Sequence, residues 1–336
     1  MKRLLIFLTP LLLTLSSCEH RPLVEPLDTH YMRVYLDEEI RNVTFGFYDD
    51  TKTKPSYKRP VLMKVCLADP ETDKVVYESY LRTAGEDSRG RYLEGYVRAA
   101  PGQYNLMVYN YGSETSVIRN GDTYFGAEAY TRRVADSQVP QDEEVGNIVY
   151  EPDHLFLATR EGITIHPTEE VDTLRTASGE HFRASSVVQS YYVQVRVKGI
   201  QYVSSAASLM TGLGGEMTLH DRSLDTSRSV HVYYDLLRAP SGEEDVAIVY
   251  ATFNTFGKLP GEDTHYYVTF DFIRTDGNRQ TEVMDITPMF DTPEVRDNRW
   301  ILIDRTITVA PPPTSGGGGM QPGVGEWGDI DQDIEI

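Results

Sequence analysis

The sequence predicts an all-β protein, two tandem β-sandwich domains followed by a flexible C-terminal tail, and three observations carry that prediction. Short runs of strand-forming residues alternate apolar and polar positions with a period of two. Turn residues, 26 Gly and 18 Pro among them, separate these runs at short spacing. Helical periodicity is scarce along the chain. A length of 336 residues allows two cores of ordinary size, and 40% apolar against 25% charged residues is a globular balance.

The first element is a leader. Met1-Lys2-Arg3 is a basic start, and residues 4–15 form an apolar run too short to span a bilayer as a stable anchor. Leu15-Ser16-Ser17-Cys18 follows. This stretch resembles the lipobox of bacterial lipoproteins, which implies removal of residues 1–17 as a signal peptide by a cut between Ser17 and Cys18. It also implies a diacylglyceryl group on the Cys18 thiol and a further acyl chain, palmitate in kind, on the freed amine. Two or more chains hold a protein on a membrane where one does so only marginally. The competing reading is an ordinary secretory signal that contains a cysteine. Loss of the two positive charges of Lys2 and Arg3 takes the formal charge from −19 to −21. The other cysteine, Cys66, lies in the apolar run VLMKVCL and reads as a buried strand thiol, not a nucleophile.

Residues 18–29, polar and proline-punctuated, read as a lipid-proximal spacer. The first sandwich is expected over residues 30–166, with strands at 31–36, 43–47, 60–67, 74–81 and 92–97. After Pro101-Gly102 another strand puts Tyr104, Leu106 and Val108 on one face. Residues 113–147 are loop-rich and acidic, and strands at 155–157 and 163–165 close the domain. Few apolar residues and two acidic clusters mark 167–186 as a linker. The second sandwich, 187–310, opens with Tyr191, Val193, Val195 and Val197 on one face and Tyr192, Gln194, Arg196 and Lys198 on the other. Further strands are expected at 230–234, 247–253, 266–273 and 300–309, with a hairpin at Asp276-Gly277-Asn278. SSAASLMTGLGG, residues 204–215, is rich in small residues and has room for one short helix. Residues 311–336 form a Gly/Pro-rich tail that ends DIDQDIEI.

A lipobox, the strand PGQYNLMVYNYG, the stretch YYVQVRVKGIQYVSSAASLMTGLGG and a tail of acids alternating with isoleucine occur here in one chain. In that combination the chain resembles, over essentially its whole length, the minor fimbrial anchor subunits of the Bacteroidales fimbrillin superfamily. The resemblance implies two transthyretin-like β-sandwich domains, anchored by lipid in the cell outer membrane at the base of a fimbrium. It implies other fimbrial subunits, fimbrillins, as partners, and assembly by strand exchange between them. Physically that is β-augmentation, in which main-chain hydrogen bonds give affinity and alternate side chains enter pockets. A donor strand must be extended, free to swing and apolar on one face only. Residues 311–328 supply the swing, and Ile330, Ile334 and Ile336 are the donor-strand candidates. Asp329, Asp331, Asp333 and Glu335 keep the opposite face wet. A disordered acidic tail is the competing reading. Two other roles stay open: a surface lipoprotein that binds glycans through some of its 22 tyrosines, and a tip adhesin of the same superfamily.

The composition excludes several classes. A charge of −19 argues against nucleic acid, whose binding needs clustered Lys and Arg. The eight histidines are scattered, with no H-E-x-x-H and no C-x-x-C, so no zinc site is expected. Asp329, Asp331 and Asp333 begin a calcium-loop pattern, but Ile334 takes its glycine position. Neither a G-x-S-x-G elbow nor a phosphate loop occurs. The expectation is a protein that is not an enzyme and carries no metal or cofactor.

Overall fold

The structure is a computed structural model that describes residues 27–37, 45–46, 52–53, 59–135, 147–261 and 264–313. It is nearly all β, as the period-2 patterns predict. The first fourteen strands are β1 (Asp28–Asp37), β2 (Phe45–Gly46), β3 (Lys52–Thr53), β4 (Met63–Ala68), β5 (Val75–Leu81), β6 (Thr83–Asp87) and β7 (Gly90–Ala99). They continue with β8 (Gly102–Asn110), β9 (Ser116–Arg119), β10 (Glu128–Thr131), β11 (Ile148–Tyr150), β12 (Phe156–Ile165), β13 (Asp172–Thr173) and β14 (Phe182–Ser186). Nine of these form one sheet in the order β5-β4-β8-β12-β14-β1-β7-β6, with β13 also on β1. Only Arg82 separates β5 from β6, and β5 ladders with β4 while β6 ladders with β7. The stretch 75–87 therefore belongs to both ends of the order and rolls the sheet shut. One rolled sheet stands where two facing sheets were expected.

Strand alternation fills its interior. Met32, Val34 and Leu36 from β1, Met63, Val65 and Leu67 from β4, and Tyr104, Leu106 and Val108 from β8 meet in one core. The Tyr104 hydroxyl donates to the Ala100 carbonyl at 3.0 Å. That bond clamps the arch at Ala100-Pro101, where the chain leaves β7, beside β1, for β8, beside β4 and β12. Residues 167–186 are more than a linker: Asp172–Thr173 and Phe182–Ser186 pair in parallel with β1, and Leu174, Phe182 and Ala184 complete the core. Three apolar side chains at the right depth suffice, and a count of apolar residues misses them.

The second half contains β15 (Gln189–Lys198), β16 (Val203–Gly214), β17 (Glu216–Thr218), β18 (Ser229–Asp235), β19 (Leu237–Pro240), β20 (Val246–Thr255), β21 (Tyr267–Arg274), β22 (Arg279–Asp285) and β23 (Trp300–Thr308). One short helix, α1 (Pro293–Asn298), precedes β23. Two sheets, β11-β18-β16-β21-β22 and β19-β20-β15-β23, enclose a core that includes Tyr191, Val193, Val195 and Val197. This half is a sandwich. The hairpin forms at Asp276-Gly277-Asn278, with Gly277 at φ 80° and the Asn278 N–H donating to the Asp276 carboxylate at 3.0 Å. Residues 204–215 are not helical: 204–214 lie in β16, between β18 and β21, with a bulge after Met210. Small residues are needed there for close packing. A Cβ on Gly212, at φ 81°, would meet the Tyr266 ring at 2.5 Å.

The segment 113–147, expected as loop-rich and acidic, contains β9 and β10, which join the halves: β10 pairs with β9 and with β17. Just after it β11 pairs in parallel with β18. Beneath lies a shared core with Met107, Tyr109 and Leu157 from the first half and Met217, Leu219 and Phe256 from the second.

Candidate functional site

Ser17, Cys18, Ile330, Ile334 and Ile336 lie outside the described residues. What the structure defines is the place from which the tail departs. The Val309 N–H donates to the Lys198 carbonyl at 2.9 Å, and Pro311–Pro313 follow. The tail thus leaves from the end of β23, an edge strand of the four-stranded sheet.

The face of that sheet turned away from the core is apolar across its width. Register places Leu237, Tyr250, Gln194 and Leu302 in one row over all four strands, and Tyr192 beside Trp300 in the next. Tyr192, Tyr250, Trp300 and Leu302 pack together. Gln194 and Tyr192 are each only 1% exposed, and the Tyr192 hydroxyl donates to Gln194 Oε1 at 2.8 Å. Gln194 Nε2 and the Trp300 indole Nε1 are buried without a hydrogen-bond partner. Along β15 the same face continues into the cations Arg196 and Lys198. Sequence reading put Tyr192 and Gln194 on the face opposite Tyr191 and Val193, and the structure has them there. The aromatic residues at matching positions of β20 and β23 were the available signal that this face is covered.

Two arginines elsewhere are held in ion pairs within the sheets. Arg33 bridges Glu94 at 2.7 Å and Asp87 at 3.1 Å, and lies 3.8 Å above the Tyr92 ring. Arg119 bridges Glu128 and Glu216 across the sheet that links the halves. Glu151, half-buried, accepts the Asn254 N–H at 2.9 Å. Burial first, then the nearby charges of Asp153 and Asp235, push its carboxyl up to about 7 against the pull of that hydrogen bond. Burial lowers the neighbouring His154 to about 4. Tyr111, 50% exposed, stands at a cleft of about 280 Å³ with Val61, Glu114 and Asp153.

Cys66 is 1% exposed, in the core shared by the two halves, and burial pushes its thiol up to about 11. The native protein is therefore expected to leave this thiol unmodified by an aromatic disulfide reagent at pH 8, and to react only once urea unfolds it. Rapid labelling of the folded protein would contradict the burial. Among the described residues no three His, Cys, Asp or Glu side chains are grouped to hold a metal ion. No helix among them is long and apolar enough to cross a membrane.

A rolled sheet and a sandwich on a shared core define an all-β scaffold of two joined halves. The model of the family described as a domain of unknown function, DUF5119, matches residues 65–235, which cross from one half into the other, and the chain belongs to that family. It is 25% identical over 296 residues to a Bacteroides ovatus protein named as a fimbrium anchoring subunit, Fim4B, covering 78% of this chain and 84% of that protein. The crystal structure of a Bacteroides ovatus protein described as an adhesin shares the fold, with a TM-score of 0.58 and 21% identity over 86% of this chain and 95% of that one. The fimbrial anchor protein Mfa2 from Porphyromonas gingivalis is more distant, with a TM-score of 0.45 and 12% identity over 84% of this chain and 91% of that one.

Proposed function

We propose that this protein is a lipid-anchored fimbrial subunit. Cys18 holds it in the outer membrane, and β-strand exchange attaches it to a fimbrillin-type pilus, which it terminates at the cell. The observation that carries this reading is the likeness to a fimbrium anchoring subunit over 84% of that protein's length, in a chain with a lipobox. In the tail, Ile330, Ile334 and Ile336 form the apolar face of an exchangeable strand on a glycine leash. Each ladder hydrogen bond contributes roughly 0.5–1.5 kcal/mol net, and each isoleucine, if fully buried, roughly 1.5–3 kcal/mol. Those gains hold an assembly only if they exceed the cost of ordering the leash, roughly 1–2 kcal/mol per residue fixed.

Two variants test the reading. Cys18→Ala is expected to leave the membrane fraction or to accumulate as an uncut precursor, and its normal sedimentation with membranes would refute lipid anchoring. Ile334→Asp with Ile336→Asp is expected to reduce firmly attached fimbriae several-fold without changing the melting temperature. Attachment at the parent level would leave the tail without a role.

One observation favours a second reading, glycan binding: the exposed Tyr111 ring beside the polar groups of its cleft. A glycan binder keeps its ligand after loss of residues 311–336, whereas a strand-exchanging subunit loses its partner.

A further inference from the structure

The apolar outer face of the four-stranded sheet is chemically unfinished. A sheet face turned from its core is ordinarily polar in an antiparallel sandwich. Here it carries Tyr192, Tyr250, Trp300, Leu302 and Leu237, with two buried N–H donors, Gln194 Nε2 and Trp300 Nε1, that have no acceptor. Buried donors in native proteins are nearly always satisfied, so such a pair calls for an acceptor from outside the four strands. The occupant this face asks for is apolar and presents a carbonyl oxygen in the middle of its apolar side.

We propose that residues 329–336 of the same chain dock on this face and are held there until they are exchanged into a neighbouring subunit. The proposal rests on the reading of the tail as an exchangeable strand. In an extended DIDQDIEI the even positions share a side, which puts Ile330, Gln332, Ile334 and Ile336 together. Three isoleucines meet the aromatic and leucine side chains, and the single polar residue among them is an amide whose oxygen accepts from Gln194 Nε2 or Trp300 Nε1. The acids occupy the other side, where they stay in water.

Reach agrees with this placement. β23 carries Trp300 and Leu302 at its start and releases the tail at its end. The return from Thr308 to Leu302 covers six residues, about 20 Å. Residues 314–328, between the described prolines and Asp329, make a Gly-rich connection of 15 residues with a root-mean-square span of about 20 Å. A tether whose span matches the distance holds its end at an effective concentration on the order of millimolar, so even a weak strand docks.

The test uses the two tryptophans of the chain, Trp300 and Trp327. In a Trp327→Phe background, acrylamide quenching reports Trp300 alone. Ending the chain at Pro313, or replacing Ile334 and Ile336 with Asp, is expected to raise the quenching constant at least two-fold with the far-ultraviolet spectrum unchanged. A synthetic DIDQDIEI peptide at millimolar concentration should restore protection to the shortened chain. Quenching unaltered by tail loss overturns the proposal, including the case in which residues 38–58 cover the face instead. Fimbriae decide what else falls. If the double aspartate variant loses fimbriae while Trp300 is unchanged, docking is wrong and exchange stands; if fimbriae are also kept, both fail.

Discussion

Phe253→Ala is expected to lower the stability of the whole protein by about 3–5 kcal/mol, the usual cost of deleting a buried aromatic ring. Phe253 is fully buried in the sandwich core. Its ring stacks on Tyr234 at 4.4 Å with planes 6° apart, and on Tyr191 at 5.8 Å. Close packing from both sheets leaves no side chain free to collapse into the space, so the cavity persists. The two halves should unfold together, because Met107 and Leu157 share a core with Met217 and Phe256. Urea unfolding followed by far-ultraviolet and tyrosine signals should therefore show one transition, moved as a whole to lower urea. Two transitions of which only one moves would mean that the shared core does not couple the halves. Val283→Ala serves as the control: this side chain is 58% exposed on the edge strand β22, and its loss should cost no more than about 0.5 kcal/mol.

The β class, most strands and the sandwich interior were legible because alternation is a local signal. The inner face of β15, from Tyr191 to Val197, could be read from four letters. What escaped depends on partners far away in sequence. Whether β5 and β6 close a roll depends on which strands lie beside them, and no pattern within 75–87 states that. The short strands β13 and β14 are specified by β1, more than 130 residues earlier. Small residues in 204–215 looked like weak helix, whereas central placement between two strands made smallness a packing requirement. The candidate site divides in the same way. An alternating tail is readable, but the apolar outer face of the sheet is assembled from β15, β19, β20 and β23, and only register brings Leu237, Tyr250, Gln194 and Leu302 into line.

Glu151→Gln is expected to make the protein more stable at pH 8 by about 2–3 kcal/mol and to change it little at pH 4.5. Glu151 sits where the segment from the first half ties to β20 of the second through the Asn254 N–H. Burial, reinforced by Asp153 and Asp235, raises its carboxyl in the folded protein to about 7 from an ordinary value of 4.5. The folded state thus keeps a proton that the unfolded chain releases, and stability falls as pH rises through the window from about 4.5 to 7. Above that window the full cost applies. At about 1.4 kcal/mol per pH unit the gap gives an upper figure near 3.4 kcal/mol, reduced here because the side chain is only half-buried. Glutamine keeps a carbonyl oxygen for the Asn254 N–H and removes the charge, so the tie survives. His154 acts in the opposite sense. Its folded value of about 4 lies below the ordinary 6.5, so its contribution is lost as pH falls through that range. Subtracting the parent's stability from the variant's at each pH cancels the histidine. The remaining difference should rise from near zero at pH 4.5 to a plateau above pH 7.5. A difference that is flat with pH would mean that Glu151 titrates as an ordinary exposed carboxylate, and that the junction between the halves is wet.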